Sequence, residues 1–111
     1  MPRNRWHILR DGDALILARR LPVRFDLSVT TRLPGRSRLR MARQVRQDMW
    51  RALRSLRGFA PAVKVVRTSD ALEVTAGGQV GPNVARSWAQ DRISALLNDP
   101  ACRARWSRWA Q

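Results

Sequence analysis

Apolar and polar positions alternate most cleanly over residues 23–33. Val23, Phe25, Leu27, Val29 and Leu33 interleave with Arg24, Asp26, Ser28, Thr30 and Arg32. A period of two predicts a strand with one buried and one wet face. The Leu33-Pro34-Gly35 sequence then ends it. The pattern changes over residues 36–57, where Leu39, Ala42, Val45, Met49, Leu53 and Leu56 recur every three or four positions. That spacing predicts an amphipathic helix. Ser37 is placed to cap its start, and Gly58 to cap its end, with Pro61 beyond.

Weaker patterns fill the rest of the chain. Residues 5–19 read as a hairpin, with Trp6, Ile8 and Leu9 before Asp11-Gly12 and Ala14 to Leu17 after it. An Asp-Gly pair between apolar stretches favours a tight turn; a short helix over 13–21 is the competing assignment. Residues 63–67 and 71–76 read as a second hairpin turning at Thr68-Ser69-Asp70, with Gly77-Gly78 ending it and 77–81 serving as a flexible connection. A helix is expected over 82–97, with Pro82 in its first turn and Ala85, Ala89, Ile93 and Leu96 inward. Asp99 and Pro100 are suited to open a third helix over 100–110, with Cys102, Trp106 and Trp109 sharing one packed side. The expected fold is therefore α+β. An antiparallel sheet of about four or five strands is covered on one face by a long helix and two shorter C-terminal ones, in a single domain spanning 1–111.

Composition sharpens the picture. The 111 residues carry 22 Lys plus Arg against 8 Asp plus Glu, a formal net charge of +14. All the basic residues but Lys64 are Arg. Such a surplus repels itself in the folded state and draws polyanions. With 44% hydrophobic residues the chain has material for a packed core. The longest apolar run, Ala14-Leu15-Ile16-Leu17-Ala18, is far short of a membrane span. No secretory leader is evident, so the cytoplasm is the expected location.

Chemistry is sparse. His7 and Cys102 are the only residues of their types, so neither a zinc site nor a disulfide within the chain is expected. Asp11-Gly12-Asp13 matches only the start of a calcium loop. Gly77-Gly78-Gln79-Val80-Gly81 lacks the Lys-Ser/Thr of a phosphate loop, although its N–H groups offer a minor anion site at the next helix. A non-enzymatic protein without metal or cofactor is expected.

The charge concentrates on helix 36–57. It holds eight Arg and one acid, Asp48, so it carries +7, half the chain's total. At the helical repeat Arg36, Arg40, Arg43, Gln47, Arg51 and Arg54 fall opposite the apolar stripe. Like charges at such spacings cost a free helix about 0.2–0.5 kcal/mol per pair. A face needing only water would mix in Glu. Arg36 to Arg54 spans about 27 Å at 1.5 Å per residue, and guanidinium forks match phosphate oxygens. Trp50 flanks this row between Arg46 and Arg54, either stacking on a base or packing at the core rim. The candidate interface is Arg36, Arg40, Arg43, Arg46, Trp50, Arg51 and Arg54.

The expected partner is structured RNA or duplex DNA, held mainly by phosphate. The outward strand positions Asp26, Ser28, Thr30, Arg32, Glu73 and Thr75 hold no aromatic, which argues against base stacking across the sheet. An acidic protein, docked through Arg and Trp, is the alternative partner. A peripheral membrane surface is a third, weaker option. Helices 82–97 and 100–110 resemble a helix-turn-helix in spacing alone, and Arg103, Arg105 and Arg108, with Arg3, Arg5, Arg10, Arg19 and Arg20, offer further basic surface.

Overall fold

A computed structural model describes residues 6–111. Strands β1 (His7–Asp11) and β2 (Ala14–Ala18) form the first hairpin, β3 (Leu27–Leu33) precedes helix α1 (Arg38–Leu53), and β4 (Ala60–Arg67) pairs with β5 (Leu72–Gln79). Helices α2 (Arg86–Leu97) and α3 (Pro100–Trp109) follow. The five strands make one antiparallel sheet in the order β1-β2-β4-β5-β3, so the expected α+β architecture is what the chain adopts.

Alternation builds the inner face. Leu15, Val65 and Val74 lie in one cross-strand row, and Leu17, Val63 and Ala76 in the next. All six side chains are buried. Met41, Ala42, Val45, Met49 and Leu53 of α1 cover them, and Ala89, Ile93 and Leu97 of α2 are buried toward β3 and β5. Helix α3 completes the layer against α1 and α2 through Trp106. The opposite face is polar where β3, β5 and β4 meet: the Thr30 and Thr75 hydroxyls are 3.0 Å apart and Arg32 pairs with Asp70. No aromatic stands there.

Several boundaries differ from the sequence pattern. The expected strand 23–33 is paired only from Leu27, because its partner β5 ends at Gln79 and leaves residues 23–25 without a ladder. Asp26 does not stand outward on that face. Its carboxylate accepts the Val80 N–H at 3.0 Å and pairs with Arg24, tying the start of β3 to the end of β5.

Helix α1 starts where expected, with the Ser37 hydroxyl accepting the Arg40 N–H at 3.1 Å. It ends at Leu53 rather than 57. Leu53 completes the buried stripe, and a tighter turn (Leu56 N–H to Leu53 O, 2.9 Å) carries the chain through Gly58 toward β4.

The second hairpin is longer than its pattern. β4 begins at Ala60 and accommodates Pro61, which lies one residue beyond the β2 ladder where a missing N–H is tolerated. Gly77 and Gly78 do not end the strand or form a flexible link; both lie inside β5. A Cβ on Gly77 would sit 2.0 Å from the Leu27 carbonyl oxygen, and one on Gly78 2.2 Å from that of Ala60. The pair lets three backbones close up.

Helix α2 begins at Arg86, four residues after Pro82, which lies in the preceding turn. Residues 80–85 first cross the end of the sheet, anchored at Val80. Asp99 caps α3 as expected, accepting the Ala101 and Cys102 N–H groups. The side shared by Cys102, Trp106 and Trp109 is not uniformly packed: Trp106 is fully buried, Cys102 half-buried, and Trp109 58% exposed. Among the described residues no helix is long and apolar enough to cross a membrane.

Candidate nucleic-acid interface

Burying the stripe Met41, Ala42, Val45, Met49 and Leu53 fixes the rotation of α1, and with it the face left to water. Arg40, Arg43 and Gln47 stand exposed on that face, Arg51 and Arg54 continue it, and Arg36 precedes it. Among the described residues Arg36, Arg40, Arg43 and Arg54 have no carboxylate partner. Arg36 is fixed through its backbone: its N–H donates to the Ala110 carbonyl at 2.7 Å, and its own carbonyl accepts from Arg67.

The single acid of α1 is turned away from this row. Asp48 is largely buried against α3, where its carboxylate accepts the Trp106 indole N–H at 2.6 Å and pairs with Arg105. Arg51 reaches its other oxygen only at 3.8 Å. Asp48 therefore spends its charge on the α1–α3 contact, and Arg51 is the one member of the row with a carboxylate nearby.

Arg46 departs from the row. It is half-buried on the flank facing the first hairpin, its guanidinium 4.7 Å from the centre of the Trp6 ring. Burial, with a smaller contribution from Arg43, lowers its pKa. Among the described residues its buried Nε has no hydrogen-bond partner. Trp50, 42% exposed, stands beside it. Trp6, Arg19, Arg46 and Trp50 together line a cleft of about 200 Å³. On the other flank, Arg40, Arg43, Gln44 and Trp109 line a shallow depression of about 300 Å³. The arginine row thus has an exposed indole on each side.

The structure places Arg40, Arg43 and Arg51 on the exposed face of α1, Arg54 at its C-cap and Arg46 and Trp50 on its flank, whereas Arg36 lies before the Ser37 cap and lines a separate depression with Arg67 and Asp70. It adds Trp6, Arg19 and Trp109, which helix periodicity could not find because strand pairing and α3 packing deliver them from distant segments.

Of the other basic positions, Arg10 and Arg20 stand exposed, and several are committed elsewhere. Arg38 donates to the Gly12 carbonyl at 3.1 Å and ties α1 to the first hairpin turn. Arg103 donates to the Thr31 hydroxyl and to the Leu97 and Arg32 carbonyls, all at 2.8 Å. With Arg105 on Asp48 and Trp106 in the core, Arg108 is the exposed cation of α3, on the side it shares with Ala101 and Ala104. Arg3 and Arg5 lie outside the described residues. The Val80 N–H of the glycine-rich segment is taken by Asp26, so that segment does not offer it to an anion. Among the described residues no group of three or more His, Cys, Asp or Glu is placed to hold a metal. Burial, reinforced by Asp99 and Asp48, pushes the Cys102 thiol above its ordinary pKa, which suppresses the reactive thiolate.

No family model matches the chain, and no match was found among curated proteins or solved structures.

Proposed function

We propose that the protein is a non-enzymatic nucleic-acid-binding module that grips the phosphates of structured RNA or duplex DNA through α1, in the cytoplasm. The observation that carries this is the exposed row of Arg36, Arg40, Arg43 and Arg54, left without carboxylates among the described residues while Asp48 faces α3. A charged row that served only solubility would gain stability from interspersed acids. Left unneutralised, it repels itself until a polyanion supplies the counter-charge. The row's length lets it follow several phosphates, and the polar sheet face leaves the helix as the contacting surface.

Docking on an acidic protein is the alternative, favoured by Trp109, which stands exposed beside Arg40 and Arg43 as interface anchors do. Purification with and without nuclease separates the two. Co-eluting nucleic acid that raises the 260/280 absorbance ratio, and disappears on nuclease treatment, is the expected result. A single stoichiometric protein partner that persists after nuclease would overturn it.

A further inference from the structure

We propose that the cleft between α1 and the first hairpin, lined by Trp6, Arg19, Arg46 and Trp50, is a pocket for one unpaired nucleobase beside the phosphates held by the arginine row. This deepens the reading of α1 as a phosphate grip and rests on it.

The lining selects the ligand. Two arginines in so small a cleft exclude a cation, so this is no cage for an ammonium group. Two indoles add little for a bare inorganic anion, which has no flat face to stack. A nucleobase meets both demands, because it offers a planar ring to Trp50 and ring nitrogens and carbonyl oxygens to a guanidinium. It also arrives covalently attached to phosphate.

Size agrees. At about 200 Å³ the cleft lies below the roughly 300–1,000 Å³ of sites that enclose a drug-sized ligand, which suits a single ring system. The Arg46 guanidinium lies 4.7 Å from the centre of the Trp6 ring, which fixes it as one wall of the cleft.

Position links the pocket to the row. Arg43 and Arg46 are neighbours at i, i+3 on α1, as are Gln47 and Trp50, so a base in the cleft would keep its own backbone against the row. The polar sheet face across β3, β5 and β4, by contrast, offers no aromatic among the described residues. The ligand that fits is a duplex or hairpin with one base free, at a bulge or an end.

The test compares a blunt duplex with the same duplex carrying one unpaired adenine, in RNA and in DNA, by fluorescence anisotropy at fixed salt. One stacked base predicts roughly tenfold tighter binding of the bulged form. An abasic residue in place of that adenine should remove the preference. So should Trp50→Ala and Arg46→Gln, each bringing the ratio of bulged to blunt affinity to about one whatever it does to blunt-duplex binding itself, whereas Trp50→Phe should retain most of the ratio. A preference in either nucleic acid with this mutational pattern supports the pocket. Equal binding of bulged and blunt forms, or a preference that survives Trp50→Ala, overturns the pocket and leaves the phosphate grip standing. Binding to none of the four ligands overturns both.

Discussion

Asp48 is the one acid on α1, and what it touches separates a structural carboxylate from a decorative one. It accepts the indole N–H of the fully buried Trp106, so Asp48→Ala strands a buried donor. That should cost about 2–3 kcal/mol in urea unfolding, with Arg105, partly open to solvent, adding little. Asp70→Ala, which breaks the exposed pair with Arg32, should cost less than about 0.5 kcal/mol. Similar losses for the two would contradict this distinction. Gly77→Ala drives a methyl group into the Leu27 carbonyl and should cost about 3 kcal/mol. Asp26 supplies a pH dependence. The Val80 N–H, and then Arg24, hold its carboxyl below the ordinary value of 3.8 against the opposing effect of burial. A carboxylate with a depressed folded pKa stabilises above its unfolded pKa, and that contribution fades as pH falls through the folded value. The stability gap between wild type and Asp26→Asn should therefore shrink as pH drops below about 4. A gap that is flat from neutral pH to pH 2 would contradict it.

The elements divide by how locally they are specified. α1 was legible in the sequence because Val45, Met49 and Leu53 mark the core side, Ser37 marks the start, and nothing else at that spacing competes. The first hairpin was legible because its turn needs a positive φ, which Gly12 adopts at +59°, although the two loop residues are Gly12 and Asp13, with Asp11 still paired to Ala14. The glycine pair 77–78 misled for a physical reason: locally it reads as a break, whereas in the sheet it permits the close approach of β3 and β4 to β5. Pro82 misled similarly, since the start of α2 is set by how residues 80–85 cross the sheet end. For α1 itself, the apolar stripe carries the packing while the arginines only repel one another. Arg40→Glu, Arg43→Glu and Arg51→Glu together should keep the helix, by far-UV circular dichroism, and change unfolding stability by less than about 1 kcal/mol. Loss of fold in this variant would show that the row serves packing rather than a ligand.

Taken whole, the molecule is a sheet with one helical layer whose longest helix points its charge outward. The row was legible because it lies within one helix. The cleft was not, because Trp6 and Arg19 reach Arg46 and Trp50 only through the pairing of β1 with β2 and of β2 with β4, and Trp109 reaches Arg40 only through α3. A net charge of +14 repels itself across this small volume. The melting temperature of the free protein should accordingly rise as salt is raised from about 0.02 to 0.2 M, since screening relieves that repulsion; a flat or falling trend would contradict it. The most direct measurement is the salt dependence of binding to duplex RNA or DNA. With Arg36, Arg40, Arg43, Arg51 and Arg54 engaging about five phosphates, log K should fall against log salt with a slope of roughly −4 to −5, and the triple Glu variant should lose binding. A slope near zero, or an unchanged isotherm in that variant, would contradict the phosphate grip.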